Sequence, residues 1–162
     1  MMTIRRFSDE DQSNVTELIN SIMNTEFGDS QAAYPSEDIQ DIPKTYGGLG
    51  EAFFVAINGD KIVGTIAVKK EDPRIAIMRR LFVAPSHRKQ QLGLQLIQRA
   101  LQFCDEVGYR EIVFRTTSKM VGAIKICQKC GFVQRAKLQM GSVELLKFSL
   151  SLRNGIRRER VA

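Results

Sequence analysis

The chain has 162 residues, 43% hydrophobic and 26% charged, with 24 Lys and Arg against 18 Asp and Glu for a formal net charge of +6. That length suits one domain whose core needs neither disulfide nor metal, and no apolar run approaches the roughly 20 residues that cross a bilayer. Three scattered cysteines and an N-terminus, MMTIRRFSDEDQ, without the apolar centre of a secretory signal point to a reducing, cytoplasmic setting with no membrane partner.

Residues 2–7 read as a first strand, and Ser8 followed by Asp11 makes a helix N-cap arrangement. Val15, Leu18, Ile19, Ile22 and Met23 recur at three-to-four spacing, which predicts a helix over 9–25. SEDIQDI offers a short helix capped by Ser36 and interrupted at Pro43, and YGGLG follows as loop. From residue 51 the pattern changes to strands. EAFFVAI, a tight turn at Asn58-Gly59 and KIVGTIAVKK form a hairpin, and Asp72-Pro73 turns the chain into a strand over 74–84. A strongly amphipathic helix follows, with Leu92, Leu96, Ile97, Ala100, Leu101, Cys104 and Val107 on one face and Gly108 as its stop. A strand at 111–117, a helix at 119–130 and strands at 131–138 and 142–151 complete the chain. This order predicts an α/β domain over 1–152, with a mixed, mostly antiparallel sheet of about seven strands flanked by helices. Residues 153–162, with four arginines against Glu159, read as a basic, disordered tail.

Nucleic-acid binding calls for a basic stripe with interleaved aromatics, and outside the tail no such stripe is written. Cys127 and Cys130 form a C-x-x-C, yet zinc needs two further ligands, and the only histidine, His87, lies in the turn before the long helix; no metal is expected. A redox pair belongs at a helix start, whereas this pair ends one, so two packed thiols fit better.

Residues 81–101, LFVAPSHRKQQLGLQLIQRAL, carry most of the functional information. A short apolar strand ends at Pro85, a turn with His87, Arg88 and Lys89 follows, and then the long helix begins. The first amides of a helix have no carbonyl partners and attract anions, so this is the layout of a pyrophosphate site; an ordinary strand-to-helix connection with a basic rim has the same composition. Gly93, lacking a Cβ, lets a ligand or another backbone approach. The phosphate-loop and three-glycine dinucleotide patterns are both absent.

The segment Arg88-Lys89-Gln90-Gln91-Leu92-Gly93, preceded by Leu81-Phe82-Val83-Ala84-Pro85, resembles the acyl-CoA motif Arg/Gln-x-x-Gly-x-Gly/Ala of the GNAT superfamily of N-acetyltransferases. Ala123-Ile124-Lys125-Ile126-Cys127-Gln128-Lys129-Cys130-Gly131-Phe132 resembles that superfamily's second motif, Asn-x-x-Ala-Ile-x-Leu-Tyr-x-x-x-Gly-Phe. With the order of elements, the likeness covers nearly the whole chain and is to the bacterial-type, single-domain members. It implies acetyl-CoA as cosubstrate in a cleft where the fourth and fifth strands splay, and an amine that attacks the thioester directly in a ternary complex. It implies that strand backbone at Leu81, Phe82 and Val83 pairs with pantetheine, and that amides of Arg88, Lys89, Gln90, Gln91, Leu92, Gly93 and Leu94 hold the pyrophosphate.

Three departures bear on that expectation. Gln91 stands where the motif has its first glycine, Met120 where it has asparagine, and Cys127 where it has the tyrosine that protonates the leaving thiolate. Cys127 is read either as a thiol proton donor or as a small packed hydrophobe. A general base is not evident on the fourth strand, where Ile77, Met78, Arg79 and Arg80 offer no carboxylate; by strand alternation at most one of the two arginines enters a cleft. Glu37 and Asp41, with Asp38 and Glu144, are the acids near the expected acceptor side, and each is equally a solvated surface acid or a cap. His87 is expected to be structural. A non-catalytic acyl-CoA-binding or regulatory module is the competing reading, and a homodimer stays open.

Overall fold

The computed structural model describes residues 2–28 and 36–152. One sheet holds β1 (Met2–Arg6), β2 (Ala52–Asn58), β3 (Lys61–Lys70), β4 (Ile75–Val83), β5 (Glu111–Thr117), β6 (Val133–Met140) and β7 (Val143–Ser151), in the order β1-β2-β3-β4-β5-β7-β6. Every neighbouring pair is antiparallel except β4 with β5. A parallel pair needs a long crossover, and α4 (Leu92–Val107) supplies it. The other helices are α1 (Gln12–Glu26), α2 (Glu37–Gln40), α3 (Ile42–Tyr46) and α5 (Val121–Lys129). This is the expected mixed α/β architecture. No helix among the described residues is long and apolar enough to cross a membrane.

Both faces of the sheet centre are covered. Phe54, Ala56, Ile66 and Val68 pack under α4 and α5, while their strand neighbours Phe53, Val55 and Ala67 pack under α1, α2 and α3. Period-two alternation therefore splits β2 and β3 between two cores, which explains their almost unbroken apolar sequences. Leu152, 7% exposed, closes the first core. The tail expected to be disordered, 153–162, lies outside the described residues.

Four local expectations shift. Asp11 accepts from Arg5 at 2.7 and 3.0 Å and from the Ser8 amide at 2.9 Å, which holds residues 9–11 in a 3-10 turn, so α1 begins at Gln12 rather than at 9. Pro43 does not interrupt a helix; it sits in the first turn of α3, where its missing N–H is no loss. The β2–β3 turn is centred on Gly59-Asp60, with Asn58 still paired to Lys61. β6 runs over 133–140, because the first residues of its predicted span terminate α5 instead: the Phe132 amide donates to Cys127 O at 3.0 Å and the Gly131 amide to Gln128 O at 3.1 Å, a Schellman cap with Gly131 at φ 98.

Candidate active site

The β4–β5 ladder runs from Ile75 opposite Glu111 to Met78 opposite Phe114 and stops, although β4 continues to Val83. A bulge explains the parting. Met78 packs under α4 while Phe82 packs under α1, yet residues four apart on a regular strand share a face. The extra residue is Arg80, at φ 55, where the β3–β4 register shifts between Thr65 and Ala67. Thr65, fully buried, donates Oγ1 to Arg80 O at 2.7 Å and secures the bulge. Left-handed backbone costs a side-chain-bearing residue about 1–2 kcal/mol, and such bulges bend the strand that carries them. Beyond it, the Ala84 amide donates to Val63 O at 2.8 Å. Strand alternation then turns the backbone groups of Leu81 and Val83 toward the side where β5 has left.

Past β4 the chain reaches the N-terminus of α4. Lys89 and Gln91 are left-handed, at φ 64 and 63, and Gln91 is the N-cap. Among the described residues, the amides of 89–94 have no hydrogen-bond acceptor; the first bonded amide beyond them is that of Gln95, on Gln91 O at 3.0 Å. Left-handed residues in such a turn direct successive amides into one concavity, which suits an anion. A pyrophosphate therefore fits this segment by the chemistry of its donors. The left-handed N-cap is also the physical reason a glycine is the natural occupant where this chain has Gln91.

The basic turn is partly engaged within the chain itself. Arg88 donates Nε to Val83 O at 3.1 Å and both Nη groups to Glu26 at 2.7 and 2.9 Å, so its charge is matched by the end of α1. Gly93 faces α5: a Cβ there would lie 2.7 Å from Ile126 Cδ1, so its smallness serves helix packing. His87 is held between Ser86 Oγ at 2.7 Å and Asn58 Nδ2 at 3.0 Å.

On the α1–α3 side, the parting of β4 from β5 opens into a cleft of about 640 Å³ walled by β4, β5, β6, β7 and the start of α2. Arg79 and Arg80 both line it, contrary to the alternation expected of successive strand residues, because the bulge turns the second to the face of the first. Arg80 forms an ion pair with Asp38 through Nη2, and its Nε donates to Asp38 Oδ2 at 2.9 Å. Tyr46 donates its hydroxyl to the same Oδ2 at 2.5 Å. Burial works against the charge on Asp38, but the Arg80 and Tyr46 bonds outweigh it and hold the carboxyl below its ordinary value. Burial and the bond to Asp38 push the Tyr46 phenol up. This triad lies in no motif, and its partners are separated by up to 42 residues.

The other predicted acids separate. Glu37 lines the cleft and is exposed. Asp41 is elsewhere, capping α3 by accepting from the Lys44 amide at 3.3 Å. Glu144 meets Lys137 at 3.7 Å. Cys127 is fully buried under α4 at the last turn of α5, and burial pushes its thiol up to about 12. None of the three cysteines lines the cleft. Thr116 does line it, 2% exposed.

Comparison with known proteins agrees with this geometry. Residues 16–132 match the acetyltransferase (GNAT) family. The chain is 34% identical over 101 residues to N-acetyltransferase 8B of Rattus norvegicus, which is 59% of this chain and 46% of that protein. It is 34% identical over the same length to N-acetyltransferase 8 of Homo sapiens, covering 59% and 44%. The chain thus spans about half the length of these curated relatives. In fold it is similar to a GNAT-family acetyltransferase from Staphylococcus aureus Mu50, with a TM-score of 0.82 at 22% identity over 94% of this chain and all of that one. It is also similar to yncA of Salmonella typhimurium, described with its cofactor acetyl-CoA, with a TM-score of 0.75 at 19% identity over 93% and 94%. A bulged β4 leaving β5 beside the open amides of α4, and a family match spanning both, make this chain a member of the GNAT acetyltransferase family.

Proposed function

We propose that the chain is an acetyl-CoA-dependent N-acetyltransferase acting on a primary amine by direct attack in a ternary complex. One observation carries the reading: the unpaired edge of β4 leads straight into a run of open amides at the start of α4, so one continuous strip of backbone donors and acceptors suits an amide-rich chain ending in phosphates. Bound there, acetyl-CoA supplies an acetyl thioester to the amine. The amides of Lys89 to Leu94 hold the pyrophosphate; Arg88, included in the sequence expectation, has its amide on Pro85 O at 3.4 Å and its guanidinium on Glu26, so it shapes the turn instead. Backbone of Leu81 and Val83 aligns the pantetheine, whereas Phe82, included in the sequence expectation, turns its backbone to Thr65 of β3; a β4 amide facing the gap meets the developing oxyanion.

Direct transfer is favoured because no cysteine reaches the cleft to form an acyl-enzyme. Cys127 serves as a packing residue at the α5 cap, since a fully buried thiol has no route to a leaving thiolate. Of the two sequence candidates for base, Glu37 is the one placed to accept the amine's proton, through water at the rim; Asp41 is a cap. Asp38 is committed to Arg80 and Tyr46, and this scarcity of free carboxylates supports the second reading, a non-catalytic acyl-CoA-binding module. Release of free thiol from acetyl-CoA in the presence of amines, together with a rise in melting temperature on adding acetyl-CoA, tests the proposal. A rise without thiol release across amino acids, polyamines and peptide N-termini selects the binding module; no rise at all defeats both.

A further inference from the structure

The wall of the cleft facing α2 carries a row of cations. Sheet register aligns Ile77, Val113 and Ser149, then Met78, Phe114 and Phe148. The next step holds Arg79 on β4, Arg115 on β5 and Lys147 on β7, the last two being direct partners. Phe114 and Phe148 pack under α4, so alternation places Arg115 and Lys147 on the opposite face, toward α1–α3. Arg79 lines the cleft from that same face, beside Arg80. Arg135 lies outside the cleft lining, its Nε donating to Ser149 Oγ at 3.0 Å.

The acids do not balance this row. Asp38 is committed to Arg80, Glu71 meets Arg115 at 3.7 Å, and Glu37 alone remains at the cleft. Lys147, half-buried, has no carboxylate within 4 Å among the described residues; neither has Arg79, also half-buried, which shares the field of Asp38 with Arg80, so that two guanidinium groups draw on one carboxylate. Arg115 and Lys147 stand directly opposite on neighbouring strands, with Arg79 one strand further on past the end of the β4–β5 ladder; like charges so placed destabilise a sheet, and partial burial reduces their screening. A cleft that retains such a pair at its floor is built to receive an anion.

We infer that the acceptor carries a carboxylate that is seated on Arg79 and Lys147, while its amine points to the end of the β4–β5 ladder. The inference rests on the N-acetyltransferase reading for the amine, but the anion subsite is open to measurement without turnover. Either the α-carboxylate of an amino acid or the side-chain carboxylate of an acidic residue has this chemistry. Calorimetric titration of the CoA-loaded protein with N-acetylleucine, N-acetylleucinamide and N-acetylglutamic acid α-amide separates these cases. The two carboxylates, or one of them, should bind about tenfold tighter than N-acetylleucinamide. That preference should fall by about the same factor in Arg79→Gln and in Lys147→Gln, and return in Arg79→Lys. The compound that binds names the source of the carboxylate. Equal binding, no binding by any of the three, or a preference that survives both substitutions overturns the inference. Melting temperatures of the variants guard against misfolding, and the ratio between ligands is insensitive to a merely structural loss. Thiol release with leucine and leucinamide then reads the two claims apart: a binding preference without turnover defeats acetyl transfer and leaves the subsite, whereas equal turnover of both acceptors does the reverse.

Discussion

The two sides of the β4–β5 gap are built from different materials. On the side proposed for the nucleotide, the groups on offer are main-chain amides at 89–94 and the free edge of β4, positioned by helix packing and by Gly93 against Ile126. On the acceptor side they are charged side chains from α2, β4, β5 and β7, positioned by one bulge. Backbone donors tolerate changes of side chain, which is why Gln91 can stand in a glycine position. Side-chain donors do not, so substitutions should divide sharply between the two sides.

The largest effect is expected on the acceptor side. Asp38→Ala leaves Arg80, whose side chain is 7% exposed, without its counter-charge. Breaking a buried pair costs about 3–5 kcal/mol and a solvated one under about 1, so this cleft-wall pair should cost about 2–3 kcal/mol in urea unfolding. A loss below about 0.5 kcal/mol would mean that the triad does not organise this wall. Cys127→Ser comes next: a buried hydroxyl without a partner should cost about 1–2 kcal/mol, with turnover well below the melting temperature changed less than about twofold. A tenfold fall in kcat with unchanged stability would return Cys127 to the chemistry.

Acid sensitivity follows from the same triad. Asp38 is held below its ordinary value near 3.8, so it contributes stability at higher pH that is lost as pH falls below that value toward its folded one. Asp11, lowered by its bond to Arg5, behaves alike. Wild type should therefore lose stability more steeply below pH 3.8 than Asp38→Asn, measured by thermal unfolding across that range; parallel curves would remove Asp38 from the acid response. The smallest effect belongs to the nucleotide side. Gln91→Gly relieves a left-handed conformation worth about 1–2 kcal/mol but loosens the unfolded chain by about 0.4–1, so urea unfolding should show a net gain of about 0–1.6 kcal/mol, with acetyl-CoA affinity altered only a few-fold in calorimetry; a clear loss of stability would mean that Gln91 is not strained.

The same division governs what could be read from sequence. The β3 strand at 61–70, β5 at 111–117 and α4 ending at Gly108 are local patterns, set by alternation, three-to-four spacing and a glycine stop. The segment proposed for the phosphates could be nominated from the sequence because it lies within one contiguous stretch. The acceptor wall was not. Its bulge depends on Thr65 bonding Arg80 across strands, and its triad draws Asp38 and Tyr46 against Arg80 from another part of the chain. Strict alternation separated Arg79 from Arg80, and nothing in their sequence marks the inserted residue. Asp41 and Glu37 looked equivalent as acids near the expected acceptor side; only the start of α3 at Ile42 made one a cap and left the other at the rim.

The central claim is that the cosubstrate lies along the free edge of β4 and onto the amides of α4. Amide hydrogen exchange with and without acetyl-CoA measures this directly, because the amides of 89–94 have no acceptor among the described residues and would gain one on binding. Protection should be strongest at Lys89–Leu94 and at Leu81 and Val83, with β1 and β2 unchanged. Bound acetyl-CoA that leaves 89–94 exchanging as before would contradict the account.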